Sequence, residues 1–344
     1  YLTLDKSRML PIVPSISYTG FRNKMQFAFG LNNRSLIIGL YASRSHRIID
    51  SNYCSIMPPV MHQLIESIKA WHAQHPVSVF DQATATGCLR YLSLRYAFAT
   101  KEVMVIVTCG ESTKQLTSLT NWLKHLGLVN SLYYSTQNNP KDDHVLGSSL
   151  QLAFGKAHIN DTIAGITCSI LPNSFIQANA TSTQSLYTTF KNILNWNKQS
   201  PLIDVYCGTG ILSLMMAKES FPDTKIIGID NNPDAIQDAQ QNAKTNQLDV
   251  SFYCQRAETF LENYPFTDAT FILDPPRQGC HPTVIDAICK ANTKKVGMMS
   301  CNPSTLGRDL ALFLKQGFCI KAIQAVDMFC HSYHLEVCVC LERA

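Results

Sequence analysis

Apolar and polar positions along this chain follow two different rhythms. Between residues 20 and 170, short apolar runs alternate with turns, as in Phe21 to Leu31, Cys88 to Phe98 and Glu102 to Cys109. Runs of this length bounded by turn residues read as antiparallel strands. Two helical stretches interrupt them, Met57 to His72 and Ser112 to Leu126, and the mixture predicts an α+β module. From about residue 182, helix and strand alternate. A helix from Ser182 to Trp196 leads to strand Leu202 to Tyr206, a glycine turn and helix Ile211 to Lys218. Strand Lys225 to Asp230 is followed by Asn232 as a cap, with Pro233 at the first position of a helix reaching Thr245. Strands Val250 to Gln255, Ala269 to Asp274 and Lys295 to Ser300 follow, with a helix from Pro282 to Ala291 before the last of them. Helix Ser304 to Gln316 stops at Gly317, and strands Phe318 to Asp327 and His334 to Leu341 complete the set. This order predicts an α/β fold with a doubly wound parallel sheet and an antiparallel final strand.

The 344 residues suffice for two cores. No apolar run reaches the roughly 18 residues of a membrane span, no signal-peptide pattern opens the chain, and a cytoplasmic location is expected. A start at tyrosine rather than methionine fits a piece of a longer protein. Thirteen cysteines, an odd number in a large chain, argue for reduced thiols, several of them (Cys207, Cys338, Cys340) in or beside apolar segments. Net charge is +4, but residues 1–50 hold seven Lys/Arg against two Asp/Glu while the remainder is near neutral. That basic stretch carries Phe21, Phe27, Phe29 and Tyr41, a combination able to hold a phosphate backbone and stack bases. Composition alone favours a solvated strand face.

Candidate chemistry gathers at strand ends. In VYCGTG, Gly208 and Gly210 let the backbone approach a ligand closely. The third glycine of a dinucleotide fingerprint is missing, so a nucleoside with a short charged tail fits better than a diphosphate. Asp230, about 20 residues on, can accept both ribose hydroxyl hydrogens. Arg256 or Glu258, after the third strand, falls near an adenine by position. The run DPPRQG supplies Asp274, a stiffly held carboxylate, although prolines alone explain a plain turn there. In SCNP, Cys301 opens a turn into a helix whose positive end favours thiolate. A thiol, a carboxylate and a nucleoside turn at neighbouring strand ends point to S-adenosylmethionine chemistry on a pyrimidine carbon. A thiolate adding to carbon 6 of uracil makes carbon 5 nucleophilic, and a base then removes the carbon 5 proton. Glu336, in HSYHLE, is the candidate base; its residue context alone favours a surface strand carboxylate.

Taken in order, GFRNK (Gly20 to Lys24), FIQAN (Phe175 to Asn179), DVYCGTG (Asp204 to Gly210), DPPRQG (Asp274 to Gly279), SCNP (Ser300 to Pro303) and HLE (His334 to Glu336) resemble the RNA uracil-5-methyltransferases, over nearly the whole chain. The resemblance implies a Rossmann-like methyltransferase domain over residues 175–344 and a central α+β RNA-binding domain over 17–174, with 1–16 packing on the former. It implies Cys301 as nucleophile and Glu336 as base. It also implies cofactor contacts from Gln177, Tyr206, Ile211, Asp230 and Asp274, beside the glycines 208 and 210 and Arg256. Ile211 stands where asparagine is frequent, Asp230 where glutamate is usual, and Arg256 where asparagine or aspartate is usual.

Ribosomal RNA members of that family carry a four-cysteine iron–sulfur cluster, and Cys54 in NYCS resembles the fourth ligand. The other three have no counterpart, so this chain cannot close a cluster alone; a buried free thiol accounts for Cys54 equally well. Cys54 and FRNKMQF tilt the expected substrate toward 23S ribosomal RNA, with 5-methyluridine as product and a monomer as the acting form. A transfer RNA uracil-5-methyltransferase, an RNA cytosine-5-methyltransferase and a non-catalytic RNA-binding protein remain the other readings.

Overall fold

The computed structural model describes residues 5–110, 113–264, 266, 268–291 and 293–343. Two compact units emerge, one formed by residues 19–162 and 169–173, the other by 1–18, 163–168 and 174–344.

The first unit is built on a sheet of β1 (Lys24–Asn32), β2 (Ser35–Tyr41), β3 (Ile48–Asp50), β4 (Leu89–Tyr96), β5 (Val103–Cys109), β6 (Ser131–Thr136) and β7 (Ser149–Gly155), in the order β3-β2-β1-β4-β5-β6-β7. Helices α1 (Pro59–Gln74) and α2 (Thr117–Leu126) supply Met61, Leu64, Ile65, Ile68, Trp71, Leu119 and Leu123 to one core with the alternate positions Met25, Phe27, Phe29, Leu92 and Leu94. Strands β1, β4 and β5 pair antiparallel, as their pattern suggested. Strands β5 and β6 instead run parallel, with α2 as the crossover between them. The expected start of that helix, Ser112, lies outside the described residues; its last turns end at Gly127, in the left-handed region.

A second correction concerns the aromatic stretch near the N-terminus. Phe21, Phe27 and Phe29 are at most 3% exposed. Phe27 and Phe29 pack in the core with α1, and all three are buried because hydrophobic burial outweighs any gain from display, so of the four aromatics only Tyr41 is available to a ligand.

Strands β8 (Ile159–Ile163) and β9 (Ile166–Ile170) form a small separate sheet. The second unit then opens with α3 (Ala180–Leu194), capped by the Asn179 side chain, which accepts from the Ser182 N–H. Its sheet holds β10 (Leu202–Val205), β11 (Ile226–Asp230), β12 (Ser251–Cys254), β13 (Thr270–Leu273), β14 (Lys295–Ser300), β15 (Phe318–Val326) and β16 (Glu336–Arg343), ordered β12-β11-β10-β13-β14-β16-β15. The first five are parallel, and β16 runs antiparallel to both β14 and β15. Helices α4 (Ile211–Ala217), α5 (Pro233–Asn246), α6 (Ala257–Asn263), α7 (Pro282–Lys290) and α8 (Pro303–Lys315) connect the strands. The sequence pattern had not revealed α6, a seven-residue helix burying only Ala257 and Phe260.

The strand order reverses direction between β10 and β13, which opens a crevice at the carboxyl ends of the strands. Along the opposite edge of the sheet, the N-terminal segment covers β15: Leu10 N–H donates to Ile323 O and Val13 N–H to Ala325 O. Exposed strand edges invite unwanted pairing, and this segment removes that option.

Candidate active site

Register fixes which side chains meet at the crevice. Val205 lies beside Ile229 on one side and Leu273 on the other. The next residue of each strand or turn is therefore Tyr206, Asp230 or Asp274, three groups at one level. Leu273 lies beside Met298, so β14 runs on through Met299 and Ser300 before the chain reaches Cys301. Ser300 stands opposite Val337, and one further antiparallel step brings Cys301 level with Glu336.

The glycine turn is bent into a cradle. Tyr206, Gly208 and Gly210 all have positive φ, at 69°, 54° and 75°. A Cβ built on Gly208 meets nothing within 4 Å, so this turn faces open space. At Gly210 a Cβ would come 2.6 Å from the Phe252 ring, so glycine is needed there for packing. Asp230 closes the cradle by accepting from Gly208 N–H (3.0 Å) and Asn232 N–H (2.9 Å). Both oxygens keep lone pairs for ribose hydroxyls. Ile211 is buried and Gln177 half-buried, and Tyr206 is half-buried with its phenol pushed up by burial. Arg256 is exposed and paired with Glu258 at 3.1 Å. These positions suit a nucleoside: an open backbone cradle with one carboxylate beside it.

The reacting groups share an electrostatic environment. Glu336 is 4% exposed, which overturns the surface-carboxylate reading of its sequence context. Burial pushes its carboxyl up to about 8, with Asp274 adding to the rise and Arg277 opposing it. Burial likewise raises Asp274 to about 7. Cys301 is half-buried, and its thiol is pushed up by burial, then by the Glu336 carboxylate, with Arg277 pulling it down. The helix end expected to favour thiolate is present, since α8 begins two residues on. In the free protein it is outweighed by desolvation and two neighbouring acids.

Sequence reasoning missed the parts that hold these groups. The Asn302 side chain caps α8, accepting from Ser304 N–H, while its Nδ2 donates to Arg277 O at 3.0 Å. Thr305 Oγ1 donates to the same carbonyl at 3.2 Å. Arg308 Nη2 donates to Gln278 O and Cys280 O, and buried Asp309 accepts from Cys280 N–H at 2.7 Å. The turn bearing Asp274 is thus clamped onto the helix that follows Cys301. Polar residues on an amphipathic helix carry no sequence signal of that role; only Asn302, inside SCNP, was marked. Asp204, fully buried under the glycine turn, accepts from Ser213 Oγ and was also missed as a structural carboxylate.

Cys54 belongs to the first unit. It is half-buried against the core there, and its carbonyl lies 3.0 Å from His62 Nε2. Among the described residues, no three His, Cys, Asp or Glu side chains gather as metal ligands, so the residues present do not fit an iron–sulfur cluster. No helix of the described residues is long and apolar enough to cross a membrane.

Comparison with known proteins agrees with this geometry. A family model described as a methyltransferase domain matches residues 197–331. A protein of Oceanobacillus iheyensis named as an uncharacterized RNA methyltransferase is 31% identical over 97% of this chain and 73% of its own length. One from Staphylococcus epidermidis with the same description is 34% identical over 92% and 70%. The chain belongs to the RNA methyltransferases. Among solved structures, a Pyrococcus abyssi tRNA (uracil-54, C5)-methyltransferase bound to S-adenosyl-L-homocysteine matches 98% of this chain and 80% of its own, at 26% identity and a TM-score of 0.82. The RNA methyltransferase described here therefore has the Rossmann-like methyltransferase fold over its second unit, the α/β class its sequence indicated.

Proposed function

We propose that this RNA methyltransferase modifies carbon 5 of a uridine through a transient covalent bond to Cys301. The observation that carries the reading is the convergence of Cys301, Glu336 and Asp274 at the carboxyl edge of one sheet, in a register that leaves Cys301 and Glu336 level. The reaction named for the Pyrococcus abyssi neighbour supports the same choice of atom. S-adenosylmethionine supplies the methyl group when bound, held by Gln177, Tyr206, Gly208, Gly210, Ile211, Asp230, Arg256 and Asp274.

The protein's own groups have three tasks. The target uridine must leave its stack for carbon 6 to reach Cys301. Cys301 Sγ, as thiolate, forms a bond to carbon 6 and places electron density on carbon 5. Once carbon 5 carries the methyl group, Glu336 takes its proton, the carbon 5–carbon 6 double bond reforms, and the sulfur leaves. Arg277, which lowers both Cys301 and Glu336, favours the charged forms this sequence of events requires.

The first unit supplies RNA contacts in this reading. Large-subunit ribosomal RNA is the substrate suggested by Cys54 and the FRNKMQF stretch. Transfer RNA is the second reading, favoured by the match to the Pyrococcus abyssi enzyme. Methyl transfer to unmodified 23S and transfer RNA transcripts separates them. The mechanism is tested by two variants. Cys301→Ala should abolish turnover, and Glu336→Gln should accumulate a protein–RNA adduct that survives denaturing electrophoresis. An active Cys301→Ala enzyme would overturn it.

A further inference from the structure

The face of the first unit's sheet turned away from α1 and α2 gathers three cations, Arg22, Lys24 and Arg95. In the β1–β4 register, Lys24 stands directly opposite Arg95. Arg22 lies alongside, its Nε donating to the Lys24 carbonyl at 3.1 Å. Like charges directly opposite across strands destabilise a sheet. Here the effect is sharpened by burial, since Arg95 is 3% exposed and both Arg22 and Lys24 are half-buried. Among the described residues, no carboxylate forms an ion pair with Arg22 or Lys24. Burial, Arg95 and Arg22 together push the Lys24 ammonium down to about 8. A cluster arranged this way is costly alone and is offset by an anion. Elsewhere in the unit Lys69 is paired with Asp50 and Lys156 with Glu102.

We propose that Lys24 and Arg22, backed by Arg95, form a phosphate site that holds a backbone phosphodiester of the RNA substrate. A phosphate presents acceptor oxygens to an ammonium and a guanidinium at once, and its charge offsets the repulsion between β1 and β4. Arg95, whose Nη2 donates to Pro172 O at 2.8 Å, contributes field from behind. The site rests on RNA being the substrate, and not on which atom is methylated.

The test is the salt dependence of binding, with an oligouridylate as probe and the full chain as protein. Each phosphate contact to a single strand adds about 0.7 to the slope of log affinity against log salt. Lys24→Met should lower that slope by about 0.7 and weaken binding about tenfold at low salt, as expected for one charge-assisted contact. Lys24→Arg should restore both. Lys290→Met, which removes the same charge from an exposed position on α7, should change neither. An unchanged slope in Lys24→Met, with binding as tight as that of the parent, would overturn the site. Should Lys24→Met fold poorly, slopes of the parent and Arg22→Met decide in the same way. Adduct formation on Cys301 reads the uridine chemistry separately, so failure of one leaves the other standing.

Discussion

At the scale of single residues, the site is defined by groups whose charge is set by neighbours rather than by type. A buried Glu336 raised to about 8 and a thiol raised by burial are both mainly protonated near neutral pH in the free protein. The proposed chemistry needs both without their protons. The value of kcat/KM, which reports the free enzyme, should therefore climb as pH rises from 6 toward 9. Arg277 is the cation that lowers both groups, so Arg277→Met should move that rising limb to higher pH. Transfer of labelled methyl across this range measures it; a flat profile would remove Glu336 and Cys301 from the rate. The two glycines of the turn also separate by residue. Gly208→Ala puts a methyl into open space, but a φ of 54° strains any L side chain there, so it should lower the melting temperature modestly while weakening S-adenosylmethionine binding. Gly210→Ala drives a methyl against the Phe252 ring and should lower the melting temperature itself. Calorimetric titration and thermal melting of both variants distinguish a cradle for a ligand from a turn that merely packs.

At the scale of elements, the clamp between α8 and the turn after β13 is where stability and chemistry meet. Asp309 is 1% exposed and accepts the Cys280 N–H. Asp309→Ala would leave that donor buried without a partner, a loss of about 1–3 kcal/mol. It would also release the Arg308 contacts to Gln278 and Cys280, loosening the turn that carries Asp274. The expected outcome is a lower denaturant midpoint together with a reduced kcat and a KM for S-adenosylmethionine close to the parent value. Unfolding and steady-state kinetics on one preparation check it. Elements were also where the sequence was most and least legible. Strands β10 to β14 were readable because each is a short apolar run ended by a glycine turn, an acid or a cysteine, and all but β12 lead to a recognisable helix signal such as Asn232–Pro233. The α2 crossover between parallel β5 and β6 was not, because apolar spacing tells a strand from a helix but not which strand will pair with it. The same gap hid the pairing of Lys24 with Arg95, far apart in the sequence yet directly opposite on adjacent strands. Phe21, Phe27 and Phe29 show the reverse failure: composition favoured a solvated face and allowed a stacking surface, whereas these side chains are buried.

At the scale of the whole molecule, three buried carboxyls tie stability to pH in one direction. Asp204 is raised to about 8, Asp274 to about 7 and Glu336 to about 8, each chiefly by burial. In the unfolded chain these groups ionise near 4. Between about pH 4 and 8 the folded protein keeps protons that the unfolded chain has released. Stability is then highest on the acid side of this window and declines as pH rises through it. The lowered carboxyls, such as Glu102 and Glu219, act in the opposite sense only as pH falls below the ordinary carboxylate range, so they do not mask the effect above pH 5. The melting temperature should therefore fall between pH 5 and pH 8. Asp204→Asn keeps an oxygen to accept from Ser213 Oγ but no longer titrates, so its decline should be shallower than that of the parent. Differential scanning calorimetry at fixed ionic strength compares the two. Parallel curves would mean that Asp204 does not retain its proton in the folded state, and that the acid edge of this sheet is charged before any ligand arrives.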